Sequence, residues 1–231
     1  MKLVKFFAIL VSVILFETFF IVGVRFTQPE QQIKYVYLQE QGPQVVQKII
    51  KCPFNESGRT VTVFGVGVHD DNKTGELIDI HLTLKPGEGR IYFDTTNHAF
   101  GSSIQDSIPL VIYNVEKETN TSLRNEDVFI RLDSISHDID GSSASATMAI
   151  GLIALLENKN INKSIVLTGT LTKTGKILKI DGLDVKIKVA EQKGVEEILI
   201  PSSQCNEVPE NVSINVECVE TLDEAFEKMT Y

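Results

Sequence analysis

The segment Ala144–Leu156 restricts the fold of this chain more than any other. At helical spacing its Ala, Met, Ile, Leu and Gly residues leave no polar face. A helix that is apolar all round lies inside its domain. The helix is predicted over Ser143–Leu156, directly after the turn DIDGSS. Ser143 then stands at the buried N-terminus of a core helix, where unpaired backbone N–H groups and the positive dipole end gather. Such a place suits the oxyanion of a tetrahedral intermediate, so Ser143 is a candidate nucleophile. Serine is also a favoured N-cap, with no chemistry implied.

The surrounding pattern is mixed α/β (α+β mixed). Strands are predicted at Val61–Val68, Leu77–Leu84, Arg90–Phe93 and Asp127–Leu132, with a further strand at Tyr35–Leu38. Ile78, Ile80, Leu82 and Leu84 alternate onto one face of the second. A helix is expected over 103–118, with Pro109 an obstacle in its interior. After the core helix come a strand at Ser164–Gly169, a hairpin turn at Lys173-Thr174-Gly175 and a helix after Asp181-Gly182. Strands EEILIP and SINVECV and a helix over Thr221–Met229 close the chain. The segment Gly169–Ile177 imitates a phosphate-binding loop. It has one residue too many between its glycines, and Ile177 replaces the metal-binding hydroxyl.

The domain organisation is read as 1–25, 26–58 and 59–231. Residues 6–24 are apolar except for Ser12, Glu17, Thr18 and Gly23, long enough to span a bilayer as a helix. Glu17 costs about 3 kcal/mol on an insertion scale, and the Leu, Ile, Phe and Val residues return about 6. The segment is expected to be an uncleaved single-pass anchor, with a cleaved signal sequence as the alternative, although a cleaved signal would show a shorter apolar core and a small-residue cleavage site. Lys2 and Lys5 before the span place the remainder outside the cytoplasm. Residues 26–58 are a Gln-, Pro- and Glu-rich linker, and the domain proper fills 59–231.

The net charge of −9 with dispersed acidic residues argues against a nucleic-acid partner. Asn-x-Ser/Thr triplets stand at Asn55, Asn72, Asn120, Asn162 and Asn211. Cys52, Cys205 and Cys218 have no metal-ligand spacing, so neither metal nor cofactor is expected. A Cys205–Cys218 disulfide and free thiols are both compatible with the sequence.

A serine nucleophile needs a base. The histidines are His69, His81, His98 and His137, and no Ser-His-Asp order is visible. In DGLDVKIKVAEQKG, Leu183, Val185, Ile187, Val189 and Ala190 share an apolar arc, and Lys186 falls at about 300° within it. A lysine there loses water, its pKa falls, and a neutral amine can take a proton from a hydroxyl. Snorkelling to solvent is the alternative. Asp181 is expected to cap this helix.

These two anomalies resemble the proteolytic domain of Lon peptidases, which use a Ser-Lys dyad. The family pattern K-D-G-P-S-A-G matches Ile139-Asp140-Gly141-Ser142-Ser143-Ala144-Ser145, its T-G-E matches Thr168-Gly169-Thr170, and its G-G-L-x-x-K matches Asp181-Gly182-Leu183-Asp184-Val185-Lys186. A further segment ending in Pro matches Gly194–Pro201. The resemblance implies that Ser143 attacks, Lys186 is the general base, Thr168 orients the lysine and Asp140 supports the site. It implies an oxyanion hole of backbone N–H groups at Ser143 and Ala144. It also implies a serine endopeptidase acting on protein or peptide substrates in unfolded or flexible segments, here tethered to the membrane without the family's ATPase domain. Rings are common in that family, so a homo-oligomeric ring is an expectation. The alternative is a non-catalytic Lon-like binding or assembly domain, which has no reason to keep Lys186. Ser142, Ser145, Ile139, Thr170 and Asp181 depart from the family pattern.

Overall fold

The computed structural model describes residues 58–69, 73–136 and 138–231, and the backbone of two strands at 33–37 and 50–51. The predicted anchor 1–25, Cys52, Asn55, Asn72 and His137 lie outside the described residues. Among the described residues no helix is long and apolar enough to cross a membrane.

The element order is β1 (Ile33–Tyr37), β2 (Ile50–Lys51), β3 (Arg59–Val68), β4 (Gly75–Pro86), β5 (Ile91–Phe93), β6 (Ala99–Phe100), α1 (Ser102–Thr119), β7 (Glu126–Asp133), β8 (Asp138–Ile139) and α2 (Ser145–Glu157). Then follow β9 (Ile165–Leu167), β10 (Thr170–Leu171), β11 (Ile177–Leu178), α3 (Leu183–Gln192), β12 (Glu197–Pro201), β13 (Asn215–Val219) and α4 (Leu222–Met229). The mixed α/β architecture is the one expected. The segment 26–58 contributes two strands, of which β1 overlaps the strand expected at Tyr35–Leu38.

Six strands form one sheet in the order β2-β1-β5-β7-β4-β3. The Pro86-Gly87 turn does not pair β4 with β5. Instead β7 lies between them, antiparallel to β4 and parallel to β5. A second, parallel sheet has the order β13-β12-β9. β10 and β11 form the expected hairpin, with Thr170 opposite Leu178.

The alternation in β4 puts Ile78, Ile80, Leu82 and Leu84 into one core with Met148, Ile150 and Leu152 of α2. Each such fully buried side chain stabilises the fold by roughly 1.5–3 kcal/mol. α2 packs against β3, β4, β9, α1 and α4, which explains why it has no polar face. Gly151 permits the closest approach to the sheet, since a Cβ there would lie 2.6 Å from Leu82 Cδ1. A second core joins Leu183, Ile187 and Val189 of α3 to Val66, Ile198 and Ile200.

α1 runs through Pro109, so the obstacle does not break it. Pro109 faces solvent, where water can satisfy the freed carbonyl. The burial of Ile104, Ile108, Val111, Ile112 and Val115 outweighs a local cost of about 3 kcal/mol.

Cys205 and Cys218 form a disulfide, with Cα atoms 6.0 Å apart and 13 residues of separation. Closing a loop of that size restricts the unfolded chain and stabilises the fold by about 3 kcal/mol. Urea denaturation with and without a thiol reductant should therefore show a midpoint shift of that worth. An unchanged midpoint would contradict it.

Candidate active site

The nucleophile turn is built from the backbone. Gly141, at φ 103° and ψ 136°, carries the chain out of β8 into a 3-10 turn at Ser142–Ala144, which continues into α2. Ser143 is thus within that turn and is not the first residue of the α-helix. Neither helical start has a side-chain cap, so capping is not what Ser143 does. Ser143 and Ala144 do stand at the leading end of the helical run, where the dipole is positive.

The three serines have separate partners. Ser145 is fully buried and its Oγ accepts from Leu171 N at 2.8 Å. Ser142 Oγ and Thr170 Oγ1 share a 3.0 Å hydrogen bond. Gly169 N donates to Ser143 O at 2.8 Å, and Thr147 Oγ1 donates to Leu167 O at 2.7 Å. These bonds join the turn to the chain running from β9 into β10. They leave Ser143 Oγ for another partner, which is Lys186 Nζ at 2.8 Å.

Lys186 is only 4% exposed, so it does not snorkel. Its Nζ also lies 3.2 Å from Thr168 Oγ1, and Thr168 is 1% exposed. Burial pushes the Lys186 pKa down from 10.5 to about 8, opposed by the carboxylate charge of Asp181. Asp181 is not the cap that the sequence suggested. The N-cap of α3 is Gly182 at φ 67°, with no side-chain cap bond, so the carboxylate stands one residue too early.

Asp140 hydrogen-bonds to neither Ser143 nor Lys186; it ties the turn to α1. Its carboxylate accepts from Ile104 N at 3.1 Å and from Ser103 Oγ at 3.2 Å, closing the start of that helix. Partial burial would raise its pKa, but N–H groups of Gly141, Ile104 and Ser103 and the Ser103 hydroxyl hold it below the ordinary value. The approach needs Gly101, where a Cβ would lie 2.2 Å from Asp140 Cγ.

A cleft of about 400 Å³ opens over this arrangement, lined by Ser143, Lys186, Asp140, Thr170, Asp181 and Glu76 among others. Its size suits a peptide side chain or two. Two of the described histidines are engaged elsewhere, His81 with Thr62 and Asp133 and His98 with Ser136, while His69 lines the cleft, where it bonds to Thr74 and lies 3.5 Å from Glu76 Oε1. Among the described residues no group of three or more His, Cys, Asp or Glu could hold a metal ion.

Two supports went unseen in the sequence. Glu76 is 7% exposed and accepts from Ser134 Oγ, Ile135 N and Ser136 N, fixing the wall at 134–136. Burial would raise its pKa, but these bonds lower it. Gln204 pairs with the backbone of Ile180. A carboxylate at a buried strand position was a signal for the first; nothing local marked the second.

A family model for the Lon protease (S16) C-terminal proteolytic domain matches residues 54–230. The archaeal Lon protease of Methanothermobacter thermautotrophicus is 28% identical over 183 residues, covering 78% of this chain and 27% of the relative. The Lon protease of Haemophilus influenzae is 30% identical over 160 residues, 66% of this chain and 20% of the relative. A mitochondrial Lon protease homolog of Candida glabrata is 40% identical over 81 residues, 34% of this chain and 8% of the relative. The chain thus spans about a quarter or less of the length of each of these curated relatives. With Ser143, Thr168 and Lys186 converging in a buried corner of the matched region, the chain belongs to the Lon protease proteolytic-domain family.

Proposed function

We propose that this chain is a serine endopeptidase that cuts unfolded or flexible protein segments with a Ser143–Lys186 dyad. The observation that carries this is the 2.8 Å contact of Ser143 Oγ with an amine that is 4% exposed. With a pKa near 8, about a tenth of Lys186 is neutral at pH 7, against about one part in three thousand at 10.5. The neutral amine accepts the Ser143 proton as Oγ attacks the peptide carbonyl. Thr168 holds Nζ on the side facing Ser143. The oxyanion develops at the positive end of the helical run, beside the N–H groups of Ser143 and Ala144. The resulting ammonium donates its proton to the leaving amine, and the C–N bond breaks. Lys186 then takes a proton from the water that attacks the acyl ester and returns it to Ser143 Oγ as the ester C–O bond breaks, which releases the acid and restores both groups.

The full-length chain should hydrolyse an unfolded protein that a Ser143→Ala chain leaves intact. Equal products from both would contradict the proposal and favour a non-catalytic binding domain.

From the sequence we further propose that residues 1–25 anchor the chain and that the domain works outside the cytoplasm, with self-association into a ring as the family resemblance implies; within 26–58, β1 and β2 belong to the domain's main sheet. Protease added to intact cells should remove the C-terminal end, Tyr231, and leave Lys2 protected. The reverse protection would overturn this topology.

A further inference from the structure

We propose that Gln204 is a positioning residue: its side-chain amide holds the backbone of Ile180 and thereby sets the loop that aims Lys186 at Ser143. This rests on the dyad proposed above and adds a residue that touches neither member of it.

Gln204 is 3% exposed and lies in the 3-10 turn Ser202–Glu207 between β12 and β13. Its Oε1 accepts from Ile180 N at 2.8 Å, and its Nε2 donates to Ile180 O at 3.0 Å. Nε2 also donates to Glu207 Oε2 at 2.8 Å, so both amide hydrogens are used. One side chain thus satisfies both main-chain groups of a single residue, as a neighbouring strand would. The turn itself is fastened at the next residue, where Cys205 is bridged to Cys218 of β13.

Ile180 is not a remote residue. It lines the catalytic cleft together with Lys179 and Asp181. Two residues on, Gly182 O accepts from Lys186 N at 3.0 Å in the first turn of α3. The path from Gln204 to the amine therefore crosses one buried residue, one carboxylate and one helical turn. Asp181, the charge that opposes burial at Lys186, is carried on the same loop. The other charged or titratable groups facing the cleft are Lys179, Asp138, Asp140, Glu76 and His69. Releasing Ile180 leaves two buried polar groups without partners, so the loop must move or admit water. Either change occurs next to Asp181, which lines the cleft and whose charge acts on Lys186.

The test uses the full-length chain with Gln204→Ala and the isosteric Gln204→Glu, alongside wild type and Ser143→Ala. Gln204→Glu keeps an acceptor for Ile180 N but loses the donor to Ile180 O and faces Glu207. Gln204→Ala is expected to lower kcat by about tenfold or more while KM changes less than about threefold. Water reaching Lys186 should move the midpoint of its pH–rate profile upward by about half a unit or more. Gln204→Glu should depart from wild type at least as far in both readouts, because its buried carboxylate faces Ile180 O and Glu207. A neutral Gln204→Met, which fills the same space without polar groups, decides the matter if either fails to fold. If Ser143→Ala is inactive but the folded Gln204 variants keep wild-type kcat and pH midpoint, the positioning role is overturned. If Ser143→Ala is as active as wild type, the dyad itself fails and takes this role with it.

Discussion

Replacing Ser143 with alanine should lower hydrolysis of an unfolded protein by about 10⁴-fold or more. Lys186→Ala should fall nearly as far, and the double variant no further, because nucleophile and base act as one unit. The expected loss is in kcat, since neither group holds much of the substrate. The fold should survive Ser143→Ala. Ser143 is half-buried in a turn whose other bonds come from Ser142, Ser145 and the Gly169 backbone. Thermal melting checks this, and initial rates over a range of substrate concentrations check the activity. A double variant much slower than either single one would mean that the two residues contribute separately.

Lys186→Met should remove activity and raise stability together. Lys186 is charged in the folded state only below about pH 8, while the unfolded chain keeps its proton up to 10.5. Below pH 8 the folded state therefore carries the full cost of burying an ammonium group, about 3 kcal/mol. Between pH 8 and 10.5 the folded state has lost the proton and the unfolded state has not, so stability rises with pH in that window. Methionine has a similar stem and no charge to bury. Its expected gain at pH 7 is about 1–2 kcal/mol, because the buried Thr168 hydroxyl loses a partner. Urea unfolding at pH 7 and pH 10 reads both. Wild type should become more stable across that interval and Lys186→Met should lack that part of the rise. Catalysis in wild type should rise with pH, with a midpoint near 8 in kcat/KM. A variant less stable than wild type at pH 7 would contradict this account of the burial cost.

Much of the site was legible because it violates ordinary patterning. A lysine in the apolar arc of a short helix is visible from five neighbours, and its 4% exposure agrees with that arc. Ser143 was not decidable locally. Capping and catalysis call for the same residue type at a helix start, and the partner that separates them is 43 residues away. Asp181 misled because an acidic residue before a helix is a good cap only at one register, and Gly182 occupies it. The strands were read from alternation, but their order was not. Nothing near Pro86-Gly87 tells β5 to pair parallel with β7 across the sheet. Pro109 shows local cost losing to burial in α1. Gln204 was invisible because its partners are backbone atoms 24 residues upstream, and backbone carries no sequence signature.

The dyad is tested most directly by labelling the full-length chain with a fluorophosphonate reagent that reacts with activated serines. Wild type should be labelled at Ser143, at a rate that rises with pH through a midpoint near 8. Ser143→Ala and Lys186→Ala should both remain unlabelled. Labelling at Ser142 or Ser145, or undiminished labelling in Lys186→Ala, would contradict a nucleophile activated by the buried lysine.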